Sequence, residues 1–281
     1  MKMVCKLSED GFEVEESKII NLNCKKEFKY TFWKQNNIYA EFYKDEAIDM
    51  LYLSLAVFAA DRLILRENGE DAWSREIELY MPVLCVGKWI SCRSLVEEML
   101  SFLTGDRWKI CFRERKLTEI EKKAKEKWEK VTEKNVNISK ICMFSGGLDS
   151  CIGALNLLCD KEDASDTVFV SHYGGGKGTV EYQGMLKDAF INRFNVDESN
   201  FVQNYAAIVT KKGDKKEDTT RSRSFMFFSH AIAYASAMGK EIELIIPENG
   251  LISLNIPLAY TRTGTSSTRT THPHYMKMLQ E

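Results

Sequence analysis

The spacing of apolar positions changes along the chain, and the change divides it. Over residues 45–65, Ile48, Leu51, Leu55, Phe58 and Leu65 fall at helical spacing, which predicts a long helix with one apolar face. Ile77, Leu79, Met81 and Val83 then alternate with Glu78, Tyr80 and Pro82, the period of a half-buried strand. A strand at 38–43, a helix at 94–103 and a strand at 108–113 complete a β-α-β-α-β order. Residues 1–118 are therefore expected to form a small α+β domain of helices packed on a sheet. Residues 117–134 are dense in Lys and Glu, with Ile120, Ala124 and Trp128 on one helical stripe, so 119–139 reads as a solvated helical linker.

From residue 140 the pattern becomes a regular alternation. Short apolar runs at 141–144, 167–171, 201–205 and 241–247 predict strands. Between them, 149–158, 179–194 and 224–238 predict helices. Strand–helix alternation of this kind predicts an α/β, doubly wound parallel sheet over 140–281, with ligands at the carboxyl ends of its strands.

Four stretches lie at such ends. The first is Ser145, Gly146, Gly147, Leu148, Asp149 and Ser150, between the first strand and its helix. Two glycines let the backbone turn sharply and approach a ligand. The N–H groups of the turn and of the first helical turn point to one place, with the helix dipole behind them and a hydroxyl on either side. That is a phosphate cradle. It lacks the Gly-Lys-Ser/Thr of a Walker loop and the Gly-x-Gly-x-x-Gly of a dinucleotide fold. The plainer alternative is a turn whose serines are caps only.

The second stretch runs from Ser171 through His172, Tyr173 and a glycine-rich segment that includes Lys177, a point cation for a phosphate. The third holds Arg221 and Arg223 beside a serine-capped helix start, a second anion site, with His230 deeper on the same helix as a core histidine. The fourth holds Glu248 and Asn249, where a carboxylate acceptor suits the amino edge of a guanine-like base. The hydroxyl-rich run 260–275 carries Arg262, Arg269, His272 and His274, and reads either as a disordered tail or as an anion-binding loop. Two histidines alone do not make a zinc site. Asp61, Arg62, Trp73, Ser74, Arg75, Asp106, Arg107 and Trp108 read as solvated charge beside packed tryptophans, with a ligand patch as the alternative.

Composition narrows the classes. Lys and Arg total 39 against 41 Asp and Glu, so no basic field favours nucleic acid. The eight cysteines include no Cys-x-x-Cys pair, and several lie in apolar runs, as reduced core thiols do. Residues 1–10 lack the apolar segment of a secretion signal, and the longest apolar run, 50–60, is too short for a bilayer. A cytoplasmic, soluble protein is expected.

The six residues 145–150 resemble the Ser-Gly-Gly-x-Asp-Ser loop of the PP-loop ATP pyrophosphatases. With Ser171-His172-Tyr173-Gly174, Arg223 at a helix start and Glu248-Asn249, the order is similar to that of 7-cyano-7-deazaguanine synthase (QueC) enzymes. The additional N-terminal module and the Thr/Arg/His run look like the QueC-like proteins of bacterial antiphage systems. That family has Asp where this chain has His172 and Asn where it has Ser224. The resemblance implies ATP and Mg²⁺ as cofactors and adenylation of a carboxylate, of a 7-deazaguanine such as 7-carboxy-7-deazaguanine, followed by attack of a nitrogen nucleophile. It implies Asp149 (also through Mg²⁺), Lys177 and Arg223 as catalytic residues. Residues 145–150, His172, Tyr173, Arg221 and Arg223 would bind ATP, and Glu248, Asn249, Arg262, Arg269 and His272 the substrate. Proteins of a defence operon are the expected partners, with neither membrane nor nucleic acid among them. QueC enzymes carry a four-cysteine zinc site near the C-terminus, and this chain has no cysteine after Cys159. No zinc is expected in it, and the chain is expected to be short of its relatives or completed by a partner. A non-catalytic nucleotide-binding subunit and a tRNA-modifying PP-loop enzyme remain alternatives.

Overall fold

In the computed structural model, helix α1 (Asp45–Leu63) is buried on nearly every side from Ala47 to Asp61, and the fold is arranged on its flanks. The structure describes all residues except 36–38, 70–72, 135–136, 160–164, 175–176, 195, 211–212 and 255–268, and leaves the side chains of 177, 251 and 252 aside. The strands are β1 (Lys2–Lys6), β2 (Ser17–Asn21), β3 (Phe28–Tyr30), β4 (Glu76–Val83), β5 (Arg107–Glu114), β6 (Lys140–Met143), β7 (Thr167–Tyr173), β8 (Phe201–Ile208) and β9 (Glu243–Ile245). The further helices are α2 (Val86–Ser91), α3 (Arg93–Thr104), α4 (Glu119–Lys130), α5 (Leu148–Cys159), α6 (Lys177–Arg193), α7 (Arg223–Ser236), α8 (Gly250–Ser253) and α9 (Pro273–Gln280).

Two sheets result. In the first, β2-β1-β4-β5, every pair is parallel. The second runs β3-β8-β7-β6-β9 and is parallel except for β3, which lies antiparallel on β8 with Phe28 opposite Ile208. Along β6, Ile141 and Met143 face the large core that contains Phe225 and Phe228 of α7. Cys142 and the following Phe144 face a smaller core with Ala154 and Leu158 of α5 and Phe190 of α6. Helices thus cover both faces of a parallel sheet, the Rossmann-like α/β arrangement that strand–helix alternation predicts.

α1 lies between β4 of the first sheet and α7 of the second layer. This is why it is apolar all round and not on one face, as its spacing alone suggests; Leu65 lies beyond its end. The strand expected at 38–43 is not found among its described residues. Tyr39 forms a single bridge, and Tyr43 packs on Phe32 with ring centroids 5.0 Å apart. The first layer also gains β1 and β2, and β3 joins the other sheet. α9 returns to pack on α3. Among the described residues no helix is long and apolar enough to cross a membrane.

Of the charged cluster expected at the surface, Asp61, Arg75 and Asp106 are inside, while Trp73 and Arg107 are exposed. Arg75 is wholly buried, and all five of its guanidinium N–H groups are used. Nη2 donates to Asp61 Oδ1 (2.6 Å) and Asp106 Oδ2 (2.5 Å), Nε to Asp106 Oδ1 (3.0 Å), and Nη1 to the carbonyls of Asp61 (2.8 Å) and Ile64 (2.6 Å). Arg66 adds a second guanidinium to Asp106 at 2.9 and 3.1 Å. Removing one partner of such a network leaves buried charge uncompensated. Arg75→Met is therefore expected to lower unfolding stability by about 3–5 kcal/mol, read as a shift of the urea midpoint. A loss below about 1 kcal/mol would mean the two carboxylates do not need this partner.

Candidate functional site

The turn after β6 is shaped by one glycine and two serines. Gly146 has φ +85°, and a Cβ there would stand 2.8 Å from Gln183 Cγ, so a side chain is excluded by conformation and by space. The Ser145 hydroxyl donates to Ser150 Oγ (3.1 Å), and the Ser150 hydroxyl donates to the Gly147 carbonyl (2.9 Å). The N–H groups of Gly146 and Gly147 donate to Ser150 Oγ (3.2 Å) and Ser145 Oγ (3.3 Å). α5 starts directly afterwards at Leu148, so the first-turn N–H groups and the positive end of its dipole face the same side.

Gln183 of α6 braces this loop. It is buried, and its Nε2 donates to the carbonyls of Ser145 (2.9 Å) and His172 (3.2 Å). Its Oε1 accepts from Gln203 Nε2 (2.8 Å). The sequence offers no signal for this residue, because a lone Gln in a polar helix is unremarkable until the fold brings it beneath the turn.

The carboxyl ends of β6 and β9 open onto a cleft of about 270 Å³. β7 and β8 lie on one side of β6 and β9 on the other, so the order reverses at this point, where α/β sheets bind ligands. The cleft is lined by Ser145 and Ser150 from the loop, by Thr220, Arg223, Ser224, Phe227 and Phe228 from the start of α7, and by Ile246, Pro247 and Glu248 after β9. Met143, Thr270 and Thr271 complete it. A Cβ on Gly153 would overlap the Pro247 ring, which is how α5 comes so close to the β9 side. Arg223 meets the His172 carbonyl only at 3.4 Å. Burial, with Arg62 nearby, pulls its pKa down, so its charge has more to gain from an anion than from solvent. Ser224 is 6% exposed and lines the cleft. The site thus holds a hydroxyl-ringed turn, a guanidinium at a helix start, an aromatic wall and an exposed carboxylate.

The residues expected to form the site are only partly gathered there. Ser145, Ser150, Arg223 and Glu248 line the cleft; Gly146, Gly147, Leu148 and Asp149 belong to the same turn but do not line it. Tyr173 packs against Tyr205, with ring centroids 5.0 Å apart and the rings tilted by 42°. Lys177 opens α6, with its side chain outside the described residues, as is all of Arg262. Arg221 is held elsewhere, its Nη1 donating to the Thr104 carbonyl (2.8 Å) and its guanidinium 4.7 Å above the Trp73 ring. Asn249 is exposed beside Glu248 and does not line the cleft. Arg269 donates to the Phe102 carbonyl (2.5 Å), and the rings of His272 and His274 lie 5.1 and 4.9 Å from that of Phe102. Among the described residues no group of three or more His, Cys, Asp or Glu converges as metal ligands.

His172 offers only its carbonyl towards Arg223 and Gln183; its ring is buried, 6.1 Å from that of His230, and neither ring nitrogen has a hydrogen-bond partner among the described residues. Burial, with His230, Arg223 and Arg62 near, holds its pKa well below 6.5, and burial lowers that of His230 to about 4. Each stays neutral in the fold but takes a proton in the unfolded chain once the pH drops below about 6.5. The unfolded state then binds more protons, so the fold loses stability on acidification from about 6.5 towards 4, by roughly 1 kcal/mol per pH unit for each histidine. Urea unfolding at pH 7 and pH 5 should show this slope, and replacing both histidines with Phe should flatten it. An unchanged slope in the double variant would assign the acid sensitivity to other groups.

Compared with protein-family models, with curated proteins and with solved structures, the chain finds no match in any of the three.

Proposed function

We propose that the cleft binds Mg·ATP and activates a carboxylate as its adenylate, releasing pyrophosphate, before a nitrogen nucleophile displaces AMP. The observation that carries this reading is the Ser-Gly-Gly-Leu-Asp-Ser turn at the reversal of strand order, facing Arg223 across one cleft. Its likeness to a PP-loop lies in those six residues and their strand–turn–helix setting. In this reading the hydroxyls of Ser145 and Ser150 and the N–H groups of the turn hold the departing pyrophosphate. Arg223 and the start of α7 offset charge at the α-phosphate. The carboxylate oxygen attacks that phosphorus and the α–β bridge bond breaks. The amine then attacks the carbonyl carbon, loses a proton, and AMP leaves. Asp149, within the turn, would position Mg²⁺ and Lys177, at the start of α6, would supply a cation; Mg²⁺ would supply charge neutralisation at the phosphates.

We infer a 7-deazaguanine such as 7-carboxy-7-deazaguanine as the substrate. Phe227 and Phe228 offer a wall for a planar ring, and the Glu248 carboxylate an acceptor for its amino edge. A cytoplasmic role in antiphage defence, with a protein amine as nucleophile, follows from the same resemblance. One observation favours a second reading, a nucleotide-binding subunit without chemistry: Asp149 does not line the cleft.

Pyrophosphate release from Mg·ATP with 7-carboxy-7-deazaguanine separates the two. Release stimulated by substrate is expected for the wild type, with kcat/KM at least about 100-fold lower in Arg223→Ala and in Ser145→Ala combined with Asp149→Ala. ATP binding without release would support the subunit reading, and absence of ATP binding would refute both.

A further inference from the structure

The residues that carry the α7 side of the cleft are not held mainly by their own sheet. Residues 213–220 have no regular structure apart from a turn at Gly213, and their polar contacts reach across to the first hundred residues. The Glu217 N–H donates to the Arg62 carbonyl (2.9 Å), and Glu217 Oε1 accepts from the Arg66 N–H (2.6 Å). Arg221 is clamped between the Thr104 carbonyl and the Trp73 ring. The tightest convergence is on one oxygen of α1. Asp61 Oδ2 accepts from Thr219 Oγ1 (3.2 Å), the Ser222 N–H (3.3 Å) and the Ser222 hydroxyl (2.9 Å).

Ser222 is the N-cap residue of α7, yet its hydroxyl caps nothing in its own helix; it is turned to Asp61. A carboxylate from another element therefore takes the N–H and the hydroxyl of the N-cap residue, beside the positive end of the α7 dipole. Its second oxygen is bound by Arg75 Nη2 at 2.6 Å, so it is fixed to the buried network and through it to β5. The next two residues, Arg223 and Ser224, line the cleft. The Thr270–Thr271 side is attached to the same module, through Arg269 and the Phe102 carbonyl.

We propose that Asp61 is a positioning residue for the cleft. Through Thr219 and Ser222 it sets the first turn of α7, and so the placement of Arg223 and Ser224, which gives the N-terminal module its role as scaffold of the site. The ligand part of this inference rests on the reading of the cleft as a Mg·ATP site; the placement part does not. A guanidinium that must meet a phosphate within a few tenths of an ångström depends on such support.

The test leaves the Asp61–Arg75 pair intact and removes only the hydroxyls that reach it, Thr219→Val with Ser222→Ala. Hydrogen exchange of the amides at 220–226 should rise about tenfold, while those of β4 and α1 keep their protection. Mg·ATP should bind about tenfold more weakly, in the direction of Arg223→Ala, which leaves exchange unchanged. Ser222→Thr, which keeps the hydroxyl, should behave as wild type. Unchanged exchange at 220–226 in the double variant overturns the proposal, whatever the ligand result. Faster exchange with unchanged affinity, while Arg223→Ala weakens binding, also overturns it. If the wild type binds no Mg·ATP, the functional reading fails on its own, and the exchange result alone decides whether Asp61 sets the helix start.

Discussion

A guanidinium with no access to water has to be neutralised where it lies, and much of this architecture follows from where Arg75 lies. Its five donors are met by two carboxylates and two carbonyls drawn from α1, the turn after it and the residue before β5. An Arg–carboxylate fork is directional, so the network fixes angles as well as contacts. Apolar packing alone would let α1 slide between β4 and α7, because most of its buried residues are apolar and they lie on every side. The charged network supplies the register at one end of α1, and Asp49 does so near the other, accepting from the Leu84 and Cys85 N–H groups and from Arg115. The network's free carboxylate oxygen, on Asp61, then extends the same constraint to the start of α7.

The second layer was largely legible in the sequence, because a parallel sheet buried on both faces writes itself as short apolar runs separated by helices. The turn at 145–150 was legible for the same reason, since its six residues sit together and between recognisable elements. The first layer was less so. β1 and β2 are short and follow no long apolar run, and β3 has only three residues, so its pairing with β8 depends on contacts far along the chain. The one-sided helix expected at 45–65 shows the limit of periodicity. Five apolar positions at helical spacing describe a stripe, and the residues between them, such as Ala56, Val57 and Ala59, are buried too.

The same limit explains the site. Sequence proximity grouped Arg221 with Arg223, and Arg269 with His272, as anion ligands. Adjacent or near-adjacent residues on a turn point in different directions, however: Arg223 lines the cleft and Arg221 does not, and of Arg269 and His272 neither does. Arg221 takes Thr104 and Trp73, and Arg269 takes Phe102, so both arginines act as ties between layers. Gln183 shows the converse, since nothing around it in the chain marks it, and only the fold brings it under Ser145 and His172.

The hydrogen bonds inside the turn bear on what could bind there and how strongly. The glycine N–H groups at 146 and 147 donate to serine hydroxyls, and the two hydroxyls are linked to each other. A phosphate entering the turn exchanges these bonds for bonds to its own oxygens, so the net gain per hydrogen bond is small. What the hydroxyls cannot replace is charge. The dipole of α5, the guanidinium of Arg223 and the depressed basicity that burial gives it all favour an anion over a neutral ligand. Under the proposed function, selectivity for a phosphate over a neutral polar group would therefore rest on the electrostatics of the two helix starts. The serine bonds keep the turn in the shape an anion needs, which lowers the ordering cost of binding. That makes the orientation of α7, and the carboxylate that holds it, as consequential for the cleft as the loop itself.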